Sequence, residues 1–404
     1  MSQYGTLILI MAIAVLAPLL AYGVGRWLPV PLVIFEIVLG IVVGPDVLGW
    51  ASGGQTIDAL SDLGLAMLIF LAGYEIEFDK VRGDTLKRAG WAWIVSMVLG
   101  FALACALSGW SYAKGVYIGT ALVSTSLGTV LPVLRDSDDL HSRFGSVMMA
   151  FGSVGEFGPI IAMALLLSGR SPVESAALLA AFAVIIAGAV FWAMRPRPPW
   201  FSRVIAKTLH SSGQFAVRLV VLLLAVMLGA STALGVDMLL GAFAAGMVVR
   251  LVLHGAAPDS AHEVVEKVEA MGFGFLVPIF FVVTGIEFDL DALLDGGWAL
   301  ALLPVFLVLF LLVRGGPVYA LAPADLGRRD RRALTVFAST ALPLVVAITT
   351  IGVSDGVLDT REAAALVGAG MVSVLVFPLI GLKLRAGKGE RAMPKGPIRG
   401  GESW

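Results

Sequence analysis

The sequence predicts an all-α polytopic membrane protein with 13 transmembrane helices, and three observations carry that prediction. Of 404 residues, 58% are hydrophobic and only 14% charged, where an ordinary soluble domain carries about 25% charged residues. The apolar residues gather into many runs, most of them long enough to cross a bilayer as a helix, for which roughly 20 residues suffice. Lys and Arg collect in alternate connections between these runs, which is the asymmetry of a multi-pass chain.

Thirteen apolar segments are read in order at roughly 6–25, 28–44, 59–76, 91–109, 115–134, 143–168, 173–194, 214–234, 236–252, 268–286, 298–321, 333–352 and 362–383. The first has no basic residue before it and no small-residue cleavage site, so it is read as a retained membrane helix. The second, "VPLVIFEIVLGIVVGP", contains Glu36. The third and tenth end on similar motifs, and the fifth and twelfth each place a proline near mid-span. The sixth contains Glu156 and the eleventh Arg314. The eighth and ninth are separated by almost nothing around Gly235. Residues 1–384 form one transmembrane domain, and the polar, Gly/Pro-rich stretch 385–404 is expected to be a disordered cytoplasmic tail.

Basic residues test this map. With thirteen crossings, 23 of the 28 Lys and Arg fall on one side, three (Lys114, Arg170, Arg361) on the other, and two (Arg218, Arg314) within segments. Excess positive charge marks the cytoplasm. The chain is therefore expected to be multi-pass in the cell (inner) membrane, with the N-terminus outside and the C-terminus in the cytoplasm. The net charge of −1 points to no partner beyond the lipid bilayer, and no basic face suggests nucleic acid. Cys105 is the only cysteine, which excludes an intrachain disulfide. The four histidines fall in loops with no metal-ligand spacing, no Ser–His–Asp arrangement argues for an enzyme, and no strand–glycine-loop–helix pattern marks a nucleotide cofactor.

An internal repeat organises the segments. "FLAGYEIEFD" (70–79) and "FVVTGIEFDLD" (281–291) read almost alike, and their glycines, Gly73 and Gly285, lie 212 positions apart. "STSLGTVLP" (124–132) and "ASTALPLVV" (338–346) fit nearly the same offset. Repeat 1 is thus about 6–168, repeat 2 about 214–383, and 173–194 a linker helix. Six crossings and a seventh put the second copy on the opposite face, so the repeats must be inverted. That architecture moves a central site between membrane faces.

The matched Ser/Thr–Pro runs predict a pair of discontinuous helices through Gly128–Pro132 and Ala341–Pro343. Proline removes a donor and clashes with the preceding turn, and unwound backbone at depth must line protein or a wet cavity. Glu156, central in its segment, is a functional-site candidate because a mid-membrane carboxylate is costly. Arg314 is its expected ion-pair partner, with Glu36 the other acid at depth. Ser126, Thr129 and Thr340 are the expected oxygen donors, and Thr125, Ser153 and Ser339 are secondary candidates with Glu36.

"LPVPLVIFEIVLGIVVGPDVLG", "IFLAGYEIEFD", "STSLGTVLPVLRD" and "PIFFVVTGIEFDLD", in that order and spacing, resemble the monovalent cation:proton antiporter superfamily, in its bacterial sodium/proton and potassium-efflux branch. The resemblance covers essentially the whole chain, without the C-terminal nucleotide-binding domain of many potassium-efflux members. It implies that Glu156 matches the family's ion-binding carboxylate and Arg314 the basic position of the eleventh helix, and that the chain is a homodimer. The departures are Gly155 where the family has a second polar residue beside the acid, and "ASTALP" in place of an acidic step before the second break. The expected activity is exchange of Na+ or K+ for H+, both competing for Glu156, and electroneutral because that helix offers one carboxylate. An organic-anion symporter of the same architecture and a cation channel or sensor are the alternatives.

Overall fold

The computed structural model describes residues 3–25, 30–75, 83–140, 142–166, 172–193, 195, 199–209, 211, 213–236, 238–256, 258–294 and 297–386. Among them every regular element is helical. α1 (Gln3–Gly25), α2 (Leu32–Val43), α3 (Gln55–Glu75) and α4 (Asp84–Leu107) precede a split helix, α5 (Tyr112–Leu122) and α6 (Leu127–Asp136). Next come α7 (Arg143–Leu166), α8 (Pro172–Ala193), α9 (Pro199–Thr208), α10 (Phe215–Ala233) and α11 (Met238–Ala256). α12 (Pro258–Met271) continues through a π-helical turn, Gly272–Leu276, into α13 (Val277–Ile286). The short α14 (Leu290–Leu294) leads to α15 (Trp298–Leu309), a second π-helical turn at Phe310–Gly315, and α16 (Gly316–Leu321). A second split helix, α17 (Arg328–Ala338) and α18 (Pro343–Ser354), precedes α19 (Thr360–Ala386).

Ten of the described helices are long and apolar enough to cross a membrane, and Leu32–Val43 and Ala177–Trp192 are apolar but shorter. The expected fifth segment is cut into pieces of 11 and 10 residues, each too short to span alone. A length criterion therefore returns fewer spans than the thirteen segments expected. One boundary also moves, and one helix is added. The tenth expected segment begins ten residues early, because "PDSAHEVVEKVEAM" is helical although its mean polarity hides it from a hydropathy scan. α9 is an additional amphipathic helix in the connection after α8. The tail from 387 onward lies outside the described residues.

The narrow split near Gly235 is a helix stop closed by local bonds. Gly235 takes φ +64°, its N–H donates to Thr232 O at 2.9 Å, and Val236 N–H donates to Ser231 O at 2.9 Å. These are the two bonds of a Schellman cap, for which a left-handed glycine is suited.

Packing at the centre depends on glycines that let backbones touch. A Cβ at Gly40 would lie 2.3 Å from Val282 O and 3.0 Å from Gly285 Cα, and one at Gly285 would lie 2.1 Å from Ile37 O. That fixes α2 against α13. A Cβ at Gly73 would lie 2.3 Å from Phe243 O, and one at Gly246 would lie 2.1 Å from Phe70 O, fixing α3 against α11. Small residues are the usual means of such approach between membrane helices. At the far end from the basic loops, Lys114 Nζ pairs with Glu362 at 2.6 Å and Tyr117 donates to Asp355 at 2.5 Å. These contacts fasten α5 to the end of α18 and the start of α19.

Candidate functional site

Both split helices break over four residues. The first break is Val123–Ser126 and the second Ser339–Leu342. The second contains Ala341 and ends against Pro343, the first residue of α18, a position where a missing N–H costs nothing. The first corrects the expectation of unwinding through Gly128–Pro132: those residues are helical within α6. Proline does not place this break. Tertiary bonds do, because its N–H groups donate outside their own helix. Thr125 N–H donates to Gly155 O at 2.9 Å, and Ser126 N–H donates to Thr340 O at 2.7 Å.

The two breaks therefore touch. Thr125 Oγ1 also donates to Ala338 O at 2.6 Å. On the other side of the second break, Ser373 Oγ of α19 accepts from Ala341 N–H at 3.1 Å and lies 3.1 Å from Ala341 O. Thr340 O is thus engaged by the first break. The hydroxyls of Ser339 and Thr340 bond back to Thr335 O at 2.8 Å and Val336 O at 3.5 Å.

Glu156 lies on α7, 2% exposed. The backbone N–H of Leu127, the first residue of α6, donates to its carboxylate. An anion on a half-helix N-terminus is favoured by the free N–H groups and the helix dipole. Among the described residues its Oε2 has no hydrogen-bond partner. Nearby, Ser126 Oγ and Ser153 Oγ are also buried without partners. Buried polar atoms are almost always satisfied, and these three leave hydrogen-bonding capacity open beside the first break.

Arg314 sits in the second π-helical turn, fully buried. Its Nε donates to Thr125 Oγ1 at 2.9 Å and its Nη2 to Phe151 O at 2.6 Å, while Nη1 has no partner among the described residues. The expected ion pair with Glu156 is not closed in this structure; hydrogen bonds to the first break and to α7 hold the guanidinium instead. Gly155 acquires a positive reason here. A Cβ at that position would stand 2.3 Å from Arg314 Nη2 and 2.3 Å from Thr125 Oγ1, so no side chain fits beneath the guanidinium. The carbonyl of Phe151 and the bridging Ser373 are neighbours of the breaks that the sequence reading missed. Neither carries a signal, since one contributes only backbone and the other is one serine in an apolar helix.

Glu36 and Thr129 are placed elsewhere. Both line a cavity of about 650 Å³ between α2, α6 and α13, which Glu156 does not border. The structure brings together Thr125, Ser126, Thr340, Arg314 and the Glu156 helix, and sets Glu36 apart from them across the first turn of α6.

A family model described as "Sodium/hydrogen exchanger, transmembrane" matches residues 11–382. The chain belongs to the sodium/hydrogen exchanger family. Within the exchanger relatives, it is 28% identical over 412 residues to YjbQ of Bacillus subtilis, a protein named for Na+/H+ antiport; the match covers 95% of this chain and 63% of that protein. It is 25% identical to the Na+/H+–K+ antiporter GerN of Bacillus cereus, covering 95% of this chain and 97% of that protein. The fold is like that of the sodium proton antiporter MjNhaP1 of Methanocaldococcus jannaschii. There the TM-score is 0.68 at 14% identity, over 95% of this chain and 99% of that one.

Proposed function

We propose that this exchanger-family chain is a secondary active antiporter that exchanges Na+ or K+ for H+ by alternating access. The observation that carries the reading is the open carboxylate oxygen of Glu156, buried at the N-terminus of a half-helix beside unpartnered serine hydroxyls. A proton or a monovalent cation would satisfy Oε2, and the two would compete for it. Ser126, adjacent in the chain to Leu127 whose N–H meets Glu156, is the candidate co-ligand, with Thr340 supplying a further oxygen as the breaks rearrange; hard cations favour such ligands. Arg314 holds a fixed positive charge on the first break, which limits the site to one added cation at a time.

Two features support an inverted repeat as the moving frame. The breaks fall at matching places in the two halves. The close glycine pairs are also exchanged: Gly40 meets Gly285, and Gly73 meets Gly246. This is the pattern that a two-fold axis between helices 2 and 3 of one repeat and their counterparts in the other would impose. With one open carboxylate, exchange is electroneutral.

The test is counterflow in proteoliposomes, comparing the wild type with Glu156→Gln. An imposed Na+ or K+ gradient should drive protons uphill, with an end point that an applied voltage does not move. The Gln variant should fold and be inactive. Wild-type rates in that variant would remove Glu156 from the mechanism. Current without uphill movement would mean a channel, and voltage-dependent end points would mean a second titrating group.

A further inference from the structure

Two exposed stripes on neighbouring helices end in the same way. Along α4, Trp91, Ile94, Val95 and Val98 are exposed at steps of three and four, so they share one face. Along α15 and α16 the exposed residues are Val305, Val308, Leu312 and Tyr319. α16 packs against α4, so the stripes run side by side. Both are hydrocarbon along the middle of the helix. Both reach an exposed aromatic at the end that carries the basic loops: Trp91, 63% exposed, and Tyr319, 40% exposed. Exposed Trp and Tyr at the ends of membrane helices sit at the level of the lipid headgroups. They set the depth at which the chain beyond them emerges.

Positive charge follows at once. Exposed Lys87 lies one turn before Trp91 on the same face of α4. Arg328 and Arg332, both exposed, share a face of α17 with Thr335, at i, i+4 and i+7. Thr335 meets the head of α16, since a Cβ on the preceding Gly315 would lie 2.7 Å from its methyl carbon. The two arginines therefore overhang the seam between α4 and α16. Asp325, in the connection before α17, ties the same region together. Its hydrogen bond from Arg143 of α7, and then the charges of Arg143 and Arg88, hold its carboxyl below the usual carboxylate range. Arg88 and Arg143 are thus matched by Asp84 at 2.6 Å and Asp325 at 2.8 Å. Among the described residues, Lys87, Arg328 and Arg332 have no ion-pair partner.

We propose that this surface binds a phospholipid with a net negative headgroup, its phosphate among Lys87, Arg328 and Arg332 and its acyl chains along the two hydrocarbon stripes. Charge selects the headgroup, because three unmatched cations attract a lone phosphate and repel one that carries a choline cation. The stripes select a lipid over a free anion, because the surface beside the cations is hydrocarbon and favours apolar contact. α4, α16 and α17 belong with the helices that carry Arg314 and the breaks, so the lipid is seated on that group of helices. Binding there does not depend on the transport reading.

The test is lipid binding to the purified full chain, read by native mass spectrometry during titration with dioleoylphosphatidylglycerol. Dioleoylphosphatidylcholine, with the same acyl chains, is the comparison. The anionic lipid should bind saturably and more tightly than the zwitterionic one. Joint Lys87→Gln, Arg328→Gln and Arg332→Gln should remove that preference, at about fivefold per cation, the weight of one Lys or Arg at an anionic membrane surface. Joint Arg195→Gln, Arg203→Gln and Lys207→Gln, an equal loss of charge in and beside α9, should leave the preference unchanged. Joint Arg328→Lys and Arg332→Lys, which keep the charge, should keep it too. Equal binding of the two lipids would overturn the proposal. So would an equal loss in both triple Gln variants, which would reduce the preference to a general attraction of the basic face. Glycerophosphoglycerol, the same headgroup without chains, should bind far more weakly; binding as tight as the lipid would assign the cations to a free anion and equally refute the lipid site. If the first triple variant fails to fold, the two-lipid comparison on the wild type and the single Lys87→Gln variant still decide the matter.

Discussion

Gly155→Ala is the substitution whose sign the geometry decides. Alanine in a helix interior is favoured over glycine by about 1 kcal/mol, so a residue chosen by helix propensity alone would be improved. The built Cβ, however, stands 2.3 Å from Arg314 Nη2, 2.3 Å from Thr125 Oγ1 and 2.8 Å from Thr125 Cβ. None of these atoms is free to yield. Thr125 is tied to Ala338 O and Gly155 O, and Arg314 to Thr125 and Phe151 O. Forcing a methyl into a packed site costs about 1–3 kcal/mol, and each hydrogen bond lost from a buried charged group about 1.5–3 kcal/mol. The clash therefore outweighs the propensity gain, and a net loss of about 2 kcal/mol or more follows. Thermal unfolding of the purified protein should show a lowered midpoint, and exchange should slow because the first break loses its guanidinium. In an Arg314→Lys background, which lacks Nη2, the same substitution should cost less, giving a coupling energy of about 1–2 kcal/mol in the double-mutant cycle. A Gly155→Ala variant with a raised midpoint and intact exchange would refute this account of the glycine.

Two further predictions concern the second break and the outer acids. Ser373→Ala removes the acceptor of the buried Ala341 N–H and should destabilise the protein by about 1–3 kcal/mol; a change within about 0.5 kcal/mol, the size of an ordinary surface substitution, would show that the bridge is dispensable. Glu287, just beyond the end of α13, has its carboxyl pushed up by loss of solvent, with Asp58 and Asp62 adding repulsion. A carboxyl that holds its proton more tightly when folded contributes stability at low pH that is lost as pH rises through its folded value. Glu287→Gln should therefore raise the unfolding midpoint at neutral pH and match the wild type below the carboxylate range, and a Gln variant less stable at neutral pH would contradict the repulsion.

The legible part of this fold is the part written in residue types. Runs of hydrocarbon located the helices, the spacing of Ser/Thr–Pro announced two breaks, and lone charges marked Glu156, Arg314 and Glu36. What the sequence hid is written in geometry. Pro132 looked like the cause of the first break, yet it sits inside α6 while hydrogen bonds from Thr125 and Ser126 to other helices do the unwinding. Gly155 read as a missing acid, and only the position of Arg314 shows it as required space. The Glu156–Arg314 pair followed from depth and sign, but depth says nothing about which way a guanidinium turns, and this one turns to Thr125 and Phe151. Glu36 and Glu156 were both acids at depth; their separation by the first turn of α6 depends on a packing that no residue pattern encodes.

The central claim is that a proton and an alkali cation compete for Glu156, and the apparent KM for the cation as a function of pH tests it most directly. In proteoliposomes with the cation saturable on one side, competition at one carboxylate predicts that the maximal rate stays constant. Below the pH at which the carboxyl protonates, the apparent KM rises about tenfold per unit fall in pH. A KM that stays flat while the maximal rate falls with acidification would place the proton on another group and contradict the account.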